Sequence, residues 1–290
     1  MPHSRSAQVA VLDNGYGGRV FAKIYPAHAR LEYVKGEQIY EASLSSGVFC
    51  APRPLALIQS QEVVVWEFLG NLVRMREYLM QHQRNDPSGL TTRLRIFRDC
   101  GRTLAILHKA LSFESDKRHY WPPPQIRSPS ESLTQHVEST LRESTRRHVH
   151  GDFTPPNVLL RTDPTGVSQL AVIDASPNTF LFGCARTDIV TSVYLDVALF
   201  VCSLNSTRWF YRQLRHELPR CLEEFVCAYE QESEENLDRA TVFACSAHVM
   251  LAKREHSQAR TRCLSIDRWS DARFRMAQSA RLFKEAMRHF

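Results

Sequence analysis

The stretch His150-Gly-Asp-Phe-Thr-Pro-Pro-Asn157 sets an aspartate and an asparagine five positions apart, with Pro155 and Pro156 between them. Proline fixes φ, so the two polar groups are held at a restricted separation. A carboxylate such as Asp152 can accept or orient the proton of a hydroxyl, and the Asn157 amide offers a neutral oxygen to a hard cation such as magnesium. Seventeen residues after Asn157, Ala171-Val-Ile-Asp174 delivers a second carboxylate at the end of an apolar strand, where a second metal ligand would stand. Taken singly, these residues are also good turn formers. It is the order Asp, Asn, short hairpin, Asp that points to chemistry. Upstream, Lys23 sits among apolar residues in Val20-Phe-Ala-Lys-Ile-Tyr25 and needs a partner. Glu37 is the candidate, preferred for its spacing to Leu44 over Glu41, one helical turn further along the same face.

The elements that must position these groups follow from periodicity. Residues 8 to 25 alternate as two strands around Asn14-Gly15, a strong hairpin signal. Ala29 to Ser46 reads as a helix with Leu31, Val34, Ile39 and Leu44 on one side, ended by Pro52 and Pro54. LALIQS and EVVVWEFLG are of strand length, so residues 1–70 are expected to form a small sheet carrying one helix. From residue 71 to 290 the pattern is mainly helical. Residues 92 to 111 place Leu94, Phe97, Leu104, Leu107 and Leu111 on one face. Trp121-Pro-Pro-Pro124 reads as a loop, and Ser130 as the N-cap of a helix with Leu133, Val137 and Leu141 inside. Asn157 to Arg161 and Gln169 to Asp174 read as strands joined by Asp163-Pro-Thr-Gly166, and everything from Asp188 as three or four helices. The expected class is α+β.

At 290 residues and 43% hydrophobic, the chain can fill a sizeable core. Its net charge of +6 is carried by arginine, the lysines being only 23, 35, 109, 117, 253 and 284. Scattered arginine describes a solvated surface, although the guanidinium fork also suits phosphate. The eight cysteines show no CxxC pair and no zinc-like spacing, and they read as buried thiols of a reducing compartment. There is no apolar signal region and no apolar run of membrane length, which points to a cytoplasmic protein.

Asp152 and Asn157 have the spacing of a kinase catalytic loop, with Gly151 in place of its arginine. In the same order stand Val20-Phe-Ala-Lys-Ile-Tyr25, Glu37 to Leu44, Val65-Trp-Glu-Phe-Leu-Gly70, Gly101 to His108, Ile173-Asp174 and Tyr194-Leu-Asp-Val-Ala198. From residue 20 to about 200 the chain resembles the aminoglycoside phosphotransferase and choline kinase superfamily, the small-molecule branch of the protein-kinase-like fold. The resemblance implies a bilobal fold with a small N-terminal antiparallel sheet plus one helix and a larger helical lobe. It implies ATP or GTP between the lobes, the base against Glu67, Phe68 and Leu69, and Lys23 on the phosphates with Glu37 holding that lysine. Asp152 would be catalytic base or orienter, Asn157 and Asp174 would bind magnesium, Asp196 would brace the catalytic loop, and His150 would be structural.

Two departures follow. Such enzymes usually have a strand, a phosphate loop and a second strand before the lysine strand, and here there is room for one strand. The Gly15-Tyr-Gly17-Gly18 segment is better explained as a hairpin turn, so that if a phosphate loop survives at all it is His3-Ser-Arg-Ser6, a poor clamp at a terminus. Either the true start lies upstream or the nucleotide is held less firmly. Asp174 is followed by Ala175-Ser176-Pro177, without the glycine of protein kinases.

The expected function is transfer of a terminal phosphate to a hydroxyl of a small molecule, such as an aminoglycoside, a sugar or a choline-like alcohol. The alternative is a kinase-like protein that binds nucleotide or partner without turnover. Acceptor choice is expected in the insert from Phe113 to Pro129 and after Asp188. The cluster Glu230, Glu232, Glu234 and Glu235 could attract a polycation or be solvated, and Trp209, Phe210 and Tyr211 with Arg208 and Arg212 could stack a ring. Nucleic-acid binding is not expected, because the arginines of the last helices, Arg254 to Arg281, do not share a face.

Overall fold

The computed structural model describes residues 9–13, 18–25, 28–81, 87–113, 119–120, 128, 130–163, 166–175, 188–206, 214–259 and 266–290. Strands β1 (Val9–Asp13) and β2 (Arg19–Ile24) pair antiparallel, Val9 opposite Lys23 and Asp13 opposite Arg19. Two antiparallel strands are the expected arrangement, but Asp13 opposite Arg19 leaves five residues between them, more than a two-residue Asn-Gly turn. The expected turn around Asn14-Gly15 and His3-Ser-Arg-Ser6 lie outside the described residues. β4 (Pro54–Ile58) and β5 (Val63–Glu67) complete a sheet of order β1-β2-β5-β4, with Lys23 opposite Val64.

Helix α1 (Ala29–Ser46) crosses between β2 and β4 and ends at Gly47, whose φ of 65° is the left-handed cap glycine accepts without cost. Its inward face differs from the one expected. Leu44 is 66% exposed, and the buried residues are Ala29, Glu32, Lys35, Gly36, Ile39, Ala42 and Ser43. Gly36 explains the rotation: a Cβ there would stand 2.4 Å from the Trp66 ring, so α1 can meet the sheet closely only on this side. Two charged residues are thereby carried inside.

β3 (Phe49–Cys50) leaves the first sheet and pairs in parallel with β10 (Gly166–Val172). With β9 (Val158–Asp163) and β6 (Leu72–Arg74) it forms a second sheet of order β3-β10-β9-β6. Val158 faces Val172 across the β9/β10 ladder, so β10 stops before Asp174 rather than at it. A third sheet joins β7 (His119–Tyr120), β8 (Arg146–His148) and β11 (Ile189–Ser192) in the order β7-β11-β8. β11 was expected to be helical; its four residues are all buried, with β-branched Ile189, Val190 and Thr191 suiting a strand.

The helices are α2 (Met75–Gln81), α3 (Pro87–Ala110), α4 (Glu131–Glu143), α5 (Tyr194–Ser206), α6 (Leu218–Ser233), α7 (Arg239–Ala259) and α8 (Ile266–His289). Ser130 caps α4 by accepting from the Leu133 N–H, and Leu133, Val137 and Leu141 are buried. α5 is mainly apolar and almost wholly buried, with Asp196 and Asn205 carried inside. Its Phe200 stacks on Phe225 at 4.4 Å and meets Phe153 at 5.6 Å and Phe97 edge-on at 6.0 Å. Phe153 belongs to the Asp152 loop, so this aromatic cluster anchors that loop in the core. Cys100, Cys202, Cys221 and Cys245 are buried free thiols, while Cys50 and Cys227 are half-buried. Among the described residues no helix is long and apolar enough to cross a membrane.

α3 and α6 approach at Gly101, where a Cβ would stand 2.1 Å from the Phe225 carbonyl oxygen. Gly101→Ala gains about 1 kcal/mol of helix propensity but incurs an overpacking cost of about 1–3 kcal/mol against backbone that cannot rotate away. Net destabilisation is expected, read as a lower urea midpoint with unchanged slope. A midpoint at or above that of the parent protein would contradict the close approach.

Candidate active site

The loop from His150 to Asn157 leaves β8, turns at Gly151, whose φ of 85° requires glycine, and closes in a 3-10 turn over Pro155–Asn157. Its backbone is held by Asp196 in the first turn of α5. Asp196 Oδ2 accepts from the His150 N–H at 2.6 Å and Oδ1 from the Gly151 N–H at 2.9 Å. His108 Nε2 donates to Oδ2 at 3.1 Å, and its Nδ1 faces the Tyr229 hydroxyl at 2.9 Å. Burial alone would raise the Asp196 pKa. The hydrogen bond and electrostatic pull of His108, helped by the Gly151 N–H, outweigh it and hold the carboxyl below its ordinary value. Burial pushes His150 down to about 3, so the ring is neutral, and its Nδ1 accepts from the Asp152 N–H at 3.3 Å.

Asn157 Nδ2 donates to the Asp152 main-chain oxygen at 3.0 Å and to Asp152 Oδ2 at 2.8 Å. Both partners are acceptors, so the amide nitrogen must face them and the amide oxygen lies on the other side. The Ile173 N–H donates to the Asn157 carbonyl at 3.0 Å, setting the ends of β9 and β10 side by side. Asp174 follows with a φ of 51°, a left-handed conformation unusual for a residue with a side chain but tolerated by aspartate.

Lys23 Nζ donates to Asp174 Oδ1, forming an ion pair between β2 and the loop after β10. The ammonium also lies 4.7 Å from the centre of the Tyr25 ring. This replaces the expected pairing with Glu37. Glu37 is exposed, and its charge acts on the Tyr33 phenol one turn back. Glu41 is exposed as well. The acid that α1 brings to the cleft is Glu32, only 4% exposed, because Gly36 has rotated the other face inward.

Lys23, Asp174 and Glu32 lie at a cleft of about 720 Å³ whose walls include Phe21, Ile39, Phe68 and Leu69. Phe68 and Leu69, expected beside the nucleotide base, line this cleft. Glu67 does not: it is turned to β4, its Oε2 accepting from the Arg53 N–H at 3.2 Å, while its own N–H donates to the Arg53 carbonyl at 2.8 Å. Asp152 and Asn157 are not on this lining, and they reach it through the Asn157–Ile173 backbone bond.

The residue missed from sequence is Lys35. It is fully buried on α1, and its Nζ donates to the carbonyls of His150 at 2.9 Å and Ala175 at 2.7 Å. Burial pushes its pKa down to about 8 against the pull of Glu32, Asp196, Asp174 and Asp188. The signal was Gly36 in mid-helix, which marks a close approach and hence the buried side.

Each member of the acidic cluster has a basic partner: Glu230 with Arg239, Glu232 with Arg102, Glu234 with Lys109 and Glu235 with Arg147. It therefore offers little charge to a polycation. Most of the insert from Phe113 to Pro129, residues 208 to 212, and Ser176-Pro177 lie outside the described residues.

No protein-family model matches the sequence, and no curated protein matches it. Solved structures do match. Amicoumacin kinase hAmiN, in complex with AMP-PNP, Ca2+ and Ami, is 16% identical with a TM-score of 0.59 over 96% of this chain and 86% of its own. A choline/ethanolamine kinase family protein from Mesorhizobium loti is 14% identical with a TM-score of 0.58 over 99% and 93%. A glucosamine kinase is 14% identical with a TM-score of 0.61 over 96% and 80%. At these identities the likeness is one of architecture. The chain has the bilobal protein-kinase-like α+β fold seen in these kinases.

Proposed function

We propose that this protein transfers the terminal phosphate of a nucleoside triphosphate to a hydroxyl of a small molecule. The observation that carries the reading is the Lys23–Asp174 pair at the charged end of an apolar cleft, one backbone hydrogen bond from Asn157. A cleft of this size suits a nucleotide, the base lying against apolar walls near Phe68 and Leu69 and the phosphates at Lys23.

The donor set fits a divalent cation. Asp174 keeps 41% of its side chain exposed, and the Asn157 amide oxygen is turned away from Asp152. Among the described residues no group of three or more His, Cys, Asp or Glu could hold a metal ion. Asn157 and Asp174 are the number of protein donors magnesium takes, since it binds one or two protein oxygens and completes its shell with phosphate and water. Asn157 and Asp174 would hold it, and its charge would offset that of the phosphate oxygens.

The ion pair has a consequence for binding. Without ligand, Lys23 and Asp174 neutralise each other. A nucleotide phosphate would replace Asp174 as the partner of Lys23, and Asp174 would then be available to hold a divalent cation. Asp174 is partly solvated but Lys23 is buried, so Lys23 can leave Asp174 only where phosphate takes the place of that carboxylate. Asp152, held by the Asn157 amide and by a loop anchored at Asp196 and Phe153, accepts the proton of the attacking hydroxyl. Catalysis of this kind is mainly positioning and charge neutralisation, which a braced loop provides.

Thermal unfolding with ATP and magnesium at about 100 times the dissociation constant should add about 2.7 kcal/mol of stability. The gain should require magnesium and vanish in Asp174→Ala. No gain with any nucleoside triphosphate would reject the reading. Asp152→Asn is expected to keep nucleotide affinity while lowering turnover by about 10²–10⁴-fold, measured as product formed at saturating substrates. Loss of nucleotide binding in a stably folded Asp152→Asn would contradict the role given to this carboxylate.

A further inference from the structure

Lys35 occupies a position that the function proposed above does not use. Its side chain starts on α1, in the part of the chain that carries Lys23, and ends between two loops distant in sequence. One acceptor is the carbonyl of His150, two residues before Asp152, and the other is the carbonyl of Ala175, immediately after Asp174. The same ammonium therefore spans the two segments whose separation sets the distance from Asp152 to Asp174.

The surroundings show why a side chain must do this. Asp174 has a left-handed φ of 51°, which by itself is disfavoured for a residue with a Cβ. A bond to the next carbonyl holds that turn in place. Gly151, φ 85°, forms the corresponding turn in the other loop, and the His150 carbonyl precedes it. Asp196 holds this second turn from its amide side, at the His150 and Gly151 N–H groups, while Lys35 holds it from the carbonyl side. Packing alone does not call for an ammonium here, because an apolar side chain of similar length would fill the volume without desolvating a charge. It would leave both carbonyls without this donor.

We infer that Lys35 is a positioning residue that clamps the Asp152 loop and the Asp174 turn to α1, so that the spacing of the two carboxylates is set from the lysine-bearing part of the fold. The catalytic side of this inference rests on the phosphotransfer reading; the clamp itself does not. α1 also carries Glu32 into the cleft, so a shift of this helix moves Glu32 and both clamped turns together.

The test uses the full chain and Lys35→Met, with Lys35→Gln, uncharged and one bond shorter, if the first variant does not fold. Amide hydrogen exchange is expected to rise about tenfold or more in residues 150–153 and 173–175 and to stay near parental values in α6 and α7. Unchanged exchange in the two loops, or an equal rise throughout the chain, would overturn the clamp. With ATP and magnesium, turnover should fall by about tenfold or more, while nucleotide affinity stays within about threefold. A parallel fall in affinity and turnover would assign Lys35 a general structural role instead. If the parental protein binds no nucleotide, the phosphotransfer reading fails, and the exchange result still decides whether Lys35 is a clamp.

Discussion

A carboxylate with no solvent exposure, Asp196, fixes the geometry on which the rest of the site depends. It accepts two backbone N–H groups from one turn of chain and a third hydrogen bond from His108. A buried charge is costly unless such donors surround it, and here the donors are the loop that has to be held. The exchange works in both directions: the loop's amides pair with a strong acceptor, and the acceptor stays ionised in the core. Because α5 is buried on all sides and packed through Phe200 against Phe97, Phe153 and Phe225, Asp196 cannot follow a moving loop. It imposes its position on it.

The opposite side of the cleft is organised by charges carried inward on β2 and α1. Lys23, Glu32 and Lys35 are all buried, and none could be placed there without partners. Lys23 finds Asp174, and Lys35 finds two carbonyls together with the field of four carboxylates. The partners come from residues more than a hundred positions away, so the two parts of the fold are joined at the site by polar contacts that fail together if misaligned. β3 reinforces the joint: it follows α1 in the chain and hydrogen-bonds to β10, the strand that leads to Asp174.

How much of this could be read beforehand differs from element to element. The β1/β2 pairing, α1 from Ala29 to Ser46 and the Ser130 cap of α4 rest on local rules: Asn-Gly turns, helical periodicity and an N-cap hydroxyl. They form where expected. The His150–Asn157 loop was legible because its spacing and prolines are local too. Which face of α1 turns inward was misread, since Leu31, Val34 and Leu44 suggest one side while the fit of Gly36 against Trp66 demands another. β11 was taken for helix because a short apolar run has no period long enough to separate strand from helix, and its partners β7 and β8 are distant in the chain.

The sequence by itself determined which groups could do chemistry and in what order they occur: a lysine on a strand, an aspartate and asparagine across two prolines, and an aspartate at the end of a hairpin. Those are matters of residue type and short spacing, which the chain states directly. Only the tertiary structure decided who pairs with whom. Lys23 meets Asp174 rather than Glu37, Glu32 rather than Glu41 enters the cleft, Glu67 turns to Arg53, and Lys35 bridges two loops. The physical reason is that a buried charge goes where its desolvation is best compensated, and that place is set by packing between segments far apart in sequence.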